Sequence, residues 1–227
     1  MRPERFEGLE PGLAGLLLPI AEAEFPEQVM ALAWWSGERR AVGLSLLALI
    51  AELKAIPAKV TEPTLGAVRF AFWREVAAEA AAGTARAHPV AQGLAAIWPQ
   101  MAPLALEDIT ALIDAGEEAL PEAEGITPLG PVELYGTALS TLSLAAGGGH
   151  GSAMRDLGEA LGRLVLYRDK DNAKVRWAEA WQAASPFGPE AAPVAGAAKL
   201  EARRLLNGSS SPLSQRLSLM MTILRGR

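Results

Sequence analysis

The sequence lacks several residue types and patterns that mark common functional classes. It contains no cysteine, which excludes disulfides, thiolate zinc sites, iron–sulfur clusters and cysteine nucleophiles. Lysine and arginine total 21 against 26 aspartate and glutamate residues, and the net charge of −5 argues against a general nucleic-acid-binding protein. Apolar runs are too short to predict a membrane-spanning helix, and no signal peptide is recognised, so a cytoplasmic location is expected.

The residues that dominate the sequence are typical of α-helices. Half of the chain is apolar; alanine, leucine, glutamate and arginine are frequent, and aromatic residues make up 6%. Apolar residues recur at spacings of three and four within segments that glycine and proline separate. Such segments include 11–24, 38–57, 63–82, 131–146, 150–169 and a last helix from residue 211. The sequence therefore predicts an all-α bundle of about nine or ten helices in a single domain, 1–227.

Three generic motifs point to no catalytic or metal site. The glycine-rich segment 147–151 follows a helix and lacks the Gly-Lys-Ser/Thr ending of a phosphate-binding loop, so a helix–helix turn is predicted. His88 and His150 lie in different segments without carboxylates at ligand spacing, which argues against a metal site. The acidic residues between positions 107 and 124 are interpreted as a solvated helix face.

One stretch of the chain carries a more specific pattern. Its core, residues 62–73, reads Glu-Pro-x-Leu-Gly-x-x-Arg-x-x-Phe-Trp. Shorter motifs flank this core: Glu52-Leu53, His88-Pro89-Val90-Ala91, Tyr135 with Thr137, Gly158-x-Ala160-x-Gly162, and Arg168-Asp169. Together these segments, which span about 15–170, resemble the squalene/phytoene synthase family. Within that family the chain is most similar to the branch that contains a mitochondrial complex I assembly factor.

The resemblance implies the helical bundle of the isoprenoid synthases, shortened at the C-terminus, where the similarity fades. Enzymes of this family hold Mg²⁺ and prenyl diphosphates with two Asp-rich motifs. At the place of the first motif the chain reads Lys54-Ala55-Ile56-Pro57-Ala58, without a carboxylate. The second motif keeps Arg168, Asp169 and Asp171 but lacks the carboxylate four residues after Asp169. We therefore expect a vestigial second motif, no confident catalytic residue, no bound metal and no cofactor.

Seven residues are candidates for a cavity or for the family signature: Lys54, Arg69, Phe72, Trp73, Tyr135, Gly158 and Gly162. Core packing is the simplest interpretation of the two aromatic residues on the 63–82 helix, whose apolar stripe also includes Leu65, Val68 and Val76. Arg69 is either a buried, paired cation or a side chain that reaches the surface. The glycines allow close approach of a neighbouring helix or of a ligand, and Lys54 is a candidate substitute cation for a diphosphate.

These observations leave three functional hypotheses open. The first is a non-catalytic binding or assembly factor, similar to the complex I assembly branch, with a protein partner or a prenyl or lipid ligand. The second is a divergent prenyl transferase that acts on prenyl diphosphates through Lys54, Arg168, Asp169 and Asp171, with Mg²⁺ as its cofactor. The third is a peripheral membrane or partner-docking module that uses the helix over 212–225.

The last helix carries the pattern on which the third hypothesis depends. Apolar residues are expected along one side, with arginines beside them: Leu213, Leu217, Met220, Met221 and Leu224, and Arg216, Arg225 and Arg227. Such a pattern suits an interfacial helix, and it also suits a helix that covers the core. The expected location is therefore cytoplasmic, with peripheral membrane contact under the third hypothesis.

Overall fold

The computed structural model describes residues 1–120, 130–148, 151–166, 170–185, 187–207 and 212–225. Within these ranges the chain forms eleven α-helices, three short 3-10 helices and no β-strand. The α-helices are α1 (Pro11–Glu24), α2 (Pro26–Ala31), α3 (Gly37–Lys59), α4 (Pro63–Ala81), α5 (Pro89–Ile97), α6 (Leu106–Glu117), α7 (Gly130–Ala145), α8 (Ser152–Leu166), α9 (Lys170–Ala184), α10 (Ala192–Asn207) and α11 (Pro212–Arg225). The prediction of an all-α protein is confirmed, with slightly more helices than expected.

Local sequence explains where many of these helices begin. Pro11, Pro26, Pro63 and Pro89 each occupy the first helical position, where the missing N–H costs no hydrogen bond and the fixed φ suits a helix. His88 caps α5, because its Nδ1 accepts a hydrogen bond from the Val90 N–H at 3.2 Å. Short-range chemistry of this kind is readable in the sequence, and these starts lie within a residue of the predicted ones.

Helix α3 runs through the centre of the bundle and packs against α1, α4, α5, α6 and α7. Every residue from 41 to 51 is buried. By length and composition α3 could cross a membrane, contrary to the expectation from the sequence, and among the described residues it is the one helix that could. However, 72% of its most apolar stretch is buried inside the protein. Its apolar character is thus accounted for by its central position in the core.

Helix α4 buries only part of the apolar stripe that its sequence predicts. Trp73 and Val76 are 4% and 2% exposed, as predicted, whereas Leu65 and Val68 are 54% and 63% exposed. The buried face includes the fully buried Phe70 and runs through positions 66, 70, 73, 76, 77 and 80, at helical spacings of three and four. Both faces carry apolar residues, so periodicity alone could not choose between them. The small residues at 66 and 77 let the buried face approach its neighbours closely, and the face that carries Leu65 and Val68 remains exposed.

Helix α11 packs on a small second cluster. Its Leu219 and Ile223 are buried against Ala197 and Leu200 of α10 and Ala31 of α2. In contrast, Leu217, Met220 and Met221, which belong to the predicted apolar side, are exposed. The side chains at 213, 216, 224 and 225, and all of Arg227, lie outside the described residues. The helix therefore covers part of the core, but with residues other than those expected.

Candidate functional site

Lys54 and Tyr135, which the sequence nominated separately, lie at one site. The Nζ atom of Lys54 is 2.8 Å from Oε2 of Glu24. The same Nζ lies 5.2 Å from the ring centre of Phe25 and 5.7 Å from that of Tyr135, within the range of cation–π attraction. The charge of Lys54 is thus paired with a carboxylate and flanked by two aromatic rings.

The position of Tyr135 on α7 depends on two glycines of α8. A Cβ atom added at Gly158 would lie 2.2 Å from the carbonyl oxygen of Tyr135, which is an impossible contact. A Cβ atom added at Gly162 would lie 2.8 Å from the Cα atom of Val132. Of the two roles expected for these glycines, close approach of a helix is therefore the one observed, because α7 fills the space over both positions.

Tyr135 connects to a buried polar network that we call the Glu201 cluster: Glu27, Gln28, Tyr135, Glu201 and Arg204. The hydroxyl of Tyr135 donates to Oε1 of Glu201 at 3.5 Å, and Nε2 of Gln28 donates to Oε2 at 2.5 Å. Glu27 accepts from Nε of Arg204 at 2.6 Å. Both carboxylates are almost fully buried, with 3% exposure for Glu27 and 2% for Glu201. The cluster ties α2 and α7 to α10 through two buried carboxylates, and the side chain of Arg204, which is 38% exposed, connects it to the surface.

Burial controls the protonation of this cluster. It raises the pKa of Glu201, and the Glu27 carboxylate raises it further, whereas the hydrogen bond from Gln28 opposes the shift. Burial also raises the pKa of Tyr135 well above its ordinary value, and the charge of Glu201 adds to this effect. Tyr135 consequently remains a neutral hydrogen-bond donor at physiological pH.

A small apolar cavity adjoins the cluster. It is lined by Gln28 and Lys54 together with apolar and aromatic side chains of α3, α7 and the start of α2: Phe25, Leu47, Ile50, Leu134, Tyr135, Ala138, Leu139 and Leu142. The space open to the centre of a water molecule is about 20 Å³, enough for about one water, whereas a benzene ring needs roughly 150 Å³. Oε1 of Gln28 has no hydrogen-bond partner among the described residues, so a water could satisfy it. A prenyl chain does not fit this cavity unless α3 and α7 move apart.

The described residues at the positions compared with the Asp-rich motifs, Lys54 and Asp171 among them, do not assemble a Mg²⁺ site. Lys54 stands at the first position, and Asp171 is exposed on α9, a helix that packs mainly against α8. Arg168 and Asp169 lie outside the described residues. Within the described ranges, no group of three or more aspartates, glutamates or histidines is arranged to hold a metal ion. Mg²⁺ prefers several oxygen ligands, and this donor set does not supply them.

The remaining signature residues line a different feature, a surface groove between α3 and α4. This α3/α4 groove has a volume of about 290 Å³ and is lined by Glu52, Ala55, Ile56, Lys59, Val68, Arg69, Phe72 and Trp73. Arg69 is exposed, so of its two expected roles the surface position is the one observed.

Aromatic contacts hold the wall of the groove. The Phe72 ring lies 5.3 Å from that of Trp73, in an edge-to-face arrangement, and 5.0 Å from the guanidinium of Arg86. Trp73 in turn packs edge-to-face on His88. The two aromatic residues thus differ in role: Trp73 is a core residue, and half-buried Phe72 forms part of the groove.

Sequence reasoning missed the partners that complete the buried site, above all Glu201 and Gln28. These two residues are 173 positions apart, and Glu27 and Arg204 are 177 apart, so no local motif joins them. One signal was present: Glu201 lies at helical spacing among the buried alanines of α10, where a carboxylate requires a partner.

The cavity draws on helices from both halves of the chain, α2, α3 and α7, whereas the groove lies between α3 and α4 of the first half.

No family model matches the chain, and no curated protein or solved structure matches it.

Proposed function

We propose that the protein is a non-catalytic binding protein on a helical bundle of the squalene/phytoene synthase type, and that it acts on a protein partner as an assembly factor does. One observation carries the proposal. Where the resemblance places the first metal-binding motif, Lys54 is paired with Glu24 beside a cavity of about 20 Å³. At the position where a metal-binding residue would be needed for catalysis, the chain therefore has a lysine in a structural ion pair.

Electrostatics around Lys54 support the non-catalytic interpretation. A departing diphosphate carries several negative charges, and cations must neutralise them. The charge of Lys54 is already neutralised by Glu24, so this residue does not replace the missing metal ions unless that ion pair breaks.

The size of the cavity favours a protein partner over a prenyl or lipid ligand. A ligand of that kind needs an apolar cavity many times larger than one water molecule. A protein partner needs only the surface, where the α3/α4 groove and the outer side of α11 carry exposed apolar groups. The more specific role, assembly of a respiratory complex, is supported by the sequence resemblance over residues 45–76.

A ligand-binding and activity experiment tests the proposal. The purified protein is incubated with farnesyl diphosphate and Mg²⁺ for product analysis, and a non-hydrolysable analogue is titrated in a thermal melt with and without Mg²⁺. We expect no product and no shift, whereas a ligand at 100 times its Kd would stabilise the protein by about 2.7 kcal/mol, or roughly 5–10 °C. A Mg²⁺-dependent shift that Asp171→Ala abolishes would contradict the proposal and favour the divergent prenyl transferase.

The exposed side of α11 favours a second candidate function, contact with a membrane surface. Leu217, Met220 and Met221 are 51%, 39% and 44% exposed. Replacing all three with serine leaves the buried Leu219 and Ile223 in place, so the helix is expected to stay folded. Sedimentation with anionic vesicles then distinguishes the functions: loss of vesicle binding in this variant, with Leu16→Ser as a surface control, would support a cytoplasmic protein that attaches peripherally to membranes.

A further inference from the structure

We propose that the α3/α4 groove is the docking site for an acidic amphipathic helix of a protein partner. This inference rests on the proposed binding function and assigns that function to a surface. It starts from an unexpected placement: Val68 and Arg69, which lie within the most specific sequence pattern, line an open groove together with Phe72.

The apolar part of the groove suits the side of a helix. Val68 and Phe72 line the groove four residues apart on α4, and Leu65 continues the same row of side chains outside the groove; Leu65 and Val68 are more than half exposed. Exposed valine and leucine side chains in a row gain free energy when a partner covers them. Contacts of Phe72 with Trp73 and Arg86 hold its ring in place, so the partner would meet a preformed wall.

The charges beside the groove indicate an acidic partner. Lys59 and Arg69 line it, both are exposed, and neither forms an ion pair or hydrogen bond with any described residue. Two arginines of the neighbouring surface are paired instead, Arg74 with Asp114 and Glu117, and Arg86 with Glu75 and Glu79. The lining of the groove holds the two cations against one carboxylate, Glu52, so on a protein of net charge −5 this surface is locally positive and complementary to carboxylates.

The shape of the groove favours a peptide helix over a lipid bilayer. The groove is a concave space of about 290 Å³ between two helices, which is the arrangement that receives an amphipathic helix. A flat bilayer surface would touch Leu65 and Val68 but would leave the concavity unfilled.

Two synthetic helical peptides provide the probe. Each has about 18 residues with leucines at helical spacing along one side; glutamates flank the leucines in the first peptide and lysines in the second. We expect the protein to bind the glutamate peptide at least about tenfold more tightly than the lysine peptide, measured by fluorescence anisotropy. The double variant Val68→Ser/Arg69→Glu is expected to lose at least about tenfold in affinity for the glutamate peptide.

The chain offers a matched control for this variant. Val175 and Arg176 form the same dipeptide on α9, and Val175 is 56% exposed against 63% for Val68. The variant Val175→Ser/Arg176→Glu makes the same chemical changes away from the groove and is expected to leave peptide affinity unchanged. Thermal melts of both variants verify that each remains folded.

Three outcomes would overturn the proposal. The first is weak or equal binding of the two peptides by the unmodified protein. The second is an equal loss of affinity in the two double variants. The third is binding to anionic vesicles that requires Val68 and Arg69, which would assign the groove to a membrane. None of these results depends on diphosphate or Mg²⁺, so failure of the groove and failure of the proposed function are separately observable.

Discussion

Two regions of the molecule use their charges in opposite ways. The first is the Glu201 cluster together with the neighbouring Lys54, and the second is the α3/α4 groove. Lys54 and Lys59 stand five residues apart on α3. Lys54 is paired with Glu24 beside a small apolar cavity, whereas Lys59 is exposed and unpaired with any described residue. A buried or half-buried charge needs a partner within the fold, because desolvation would otherwise be too costly. An exposed charge needs none, and it stays available to another molecule. The comparison indicates that the cluster has a structural role and the groove a binding role.

The largest effect is expected where α8 meets α7 beneath Tyr135. Gly158→Ala would place a methyl group 2.2 Å from a backbone carbonyl oxygen, which cannot move without displacing α7. We expect a loss of about 3 kcal/mol in the free energy of unfolding, measured in urea. The control is Gly15→Ala on α1, whose added Cβ would lie 3.9 Å from its nearest neighbour. Because alanine favours helices, that variant should gain about 0.5–1 kcal/mol. Equal stability of the two variants would contradict the packing argument.

The second prediction compares one arginine from each region. Arg204→Met removes the cation that pairs with Glu27, a carboxylate with 3% exposure. We expect a loss of about 2–3 kcal/mol in the free energy of unfolding, because the carboxylate stays buried without its counter-charge. Arg69→Met in the groove should change stability by less than about 0.5 kcal/mol. A similar loss in the free energy of unfolding for both variants would mean that Arg69 stabilises the fold as much as Arg204 does.

The third prediction concerns the pH dependence of stability. The pKa of Glu201 is raised in the folded protein, so the folded state binds this proton more tightly than the unfolded state does. This contribution to stability is present below the ordinary pKa of 4.5 and is lost as pH rises through the raised value. The groups that face Glu201 are Gln28, Glu27, Tyr135, Lys54 and Arg204.

Replacement of the ionisable group isolates this effect. Glu201→Gln keeps an oxygen that can accept from Gln28 but cannot ionise. We expect the melting temperature of the variant to fall less than that of the unmodified protein as pH rises from about 4.5 towards neutrality. Parallel curves for the two proteins would show that Glu201 titrates alike in the folded and unfolded states.

The smallest effect is expected at Lys54. Lys54→Met breaks the ion pair with Glu24, whose side chain is 42% exposed and can be hydrated in the variant. Surface and half-exposed ion pairs contribute little, so the loss should stay below about 1 kcal/mol. A loss comparable with that of Arg204→Met would place Lys54 inside the buried network. The measurement is again chemical unfolding in urea.

Short-range patterns predicted the helices well but not the sides they bury. Proline at the first helical position acts within one turn, so the sequence indicates the starts of α1 and α4 to within a residue. On α4, however, Leu65 and Val68 form as regular a stripe as the buried Phe70 and Trp73 do. The choice depends on which neighbours offer complementary surfaces, and that information is spread along the chain.

In the candidate site, too, some features were predicted from the sequence and others depended on the tertiary structure. Lys54 and Tyr135 were nominated from the sequence as separate signature residues, and the fold places both at one cavity. Nothing in the sequence linked them to Glu201, because the pairing depends on α10 returning to α2 across more than 170 residues. For Arg69 the sequence left a surface position as one of two alternatives, and it did not indicate that Phe72 lines a groove.

By itself, the amino-acid sequence determined the all-helical class, the absence of cysteine chemistry and the absence of carboxylates from positions 54–58. These properties depend on composition and on contacts within one or two helical turns. Only the tertiary structure decided that the cavity is water-sized, that Glu201 is buried among partners, and that Arg69 lines an open groove. Such properties arise from close packing between distant segments, where a glycine such as Gly158 sets how near two helices come and thereby how much space remains between them.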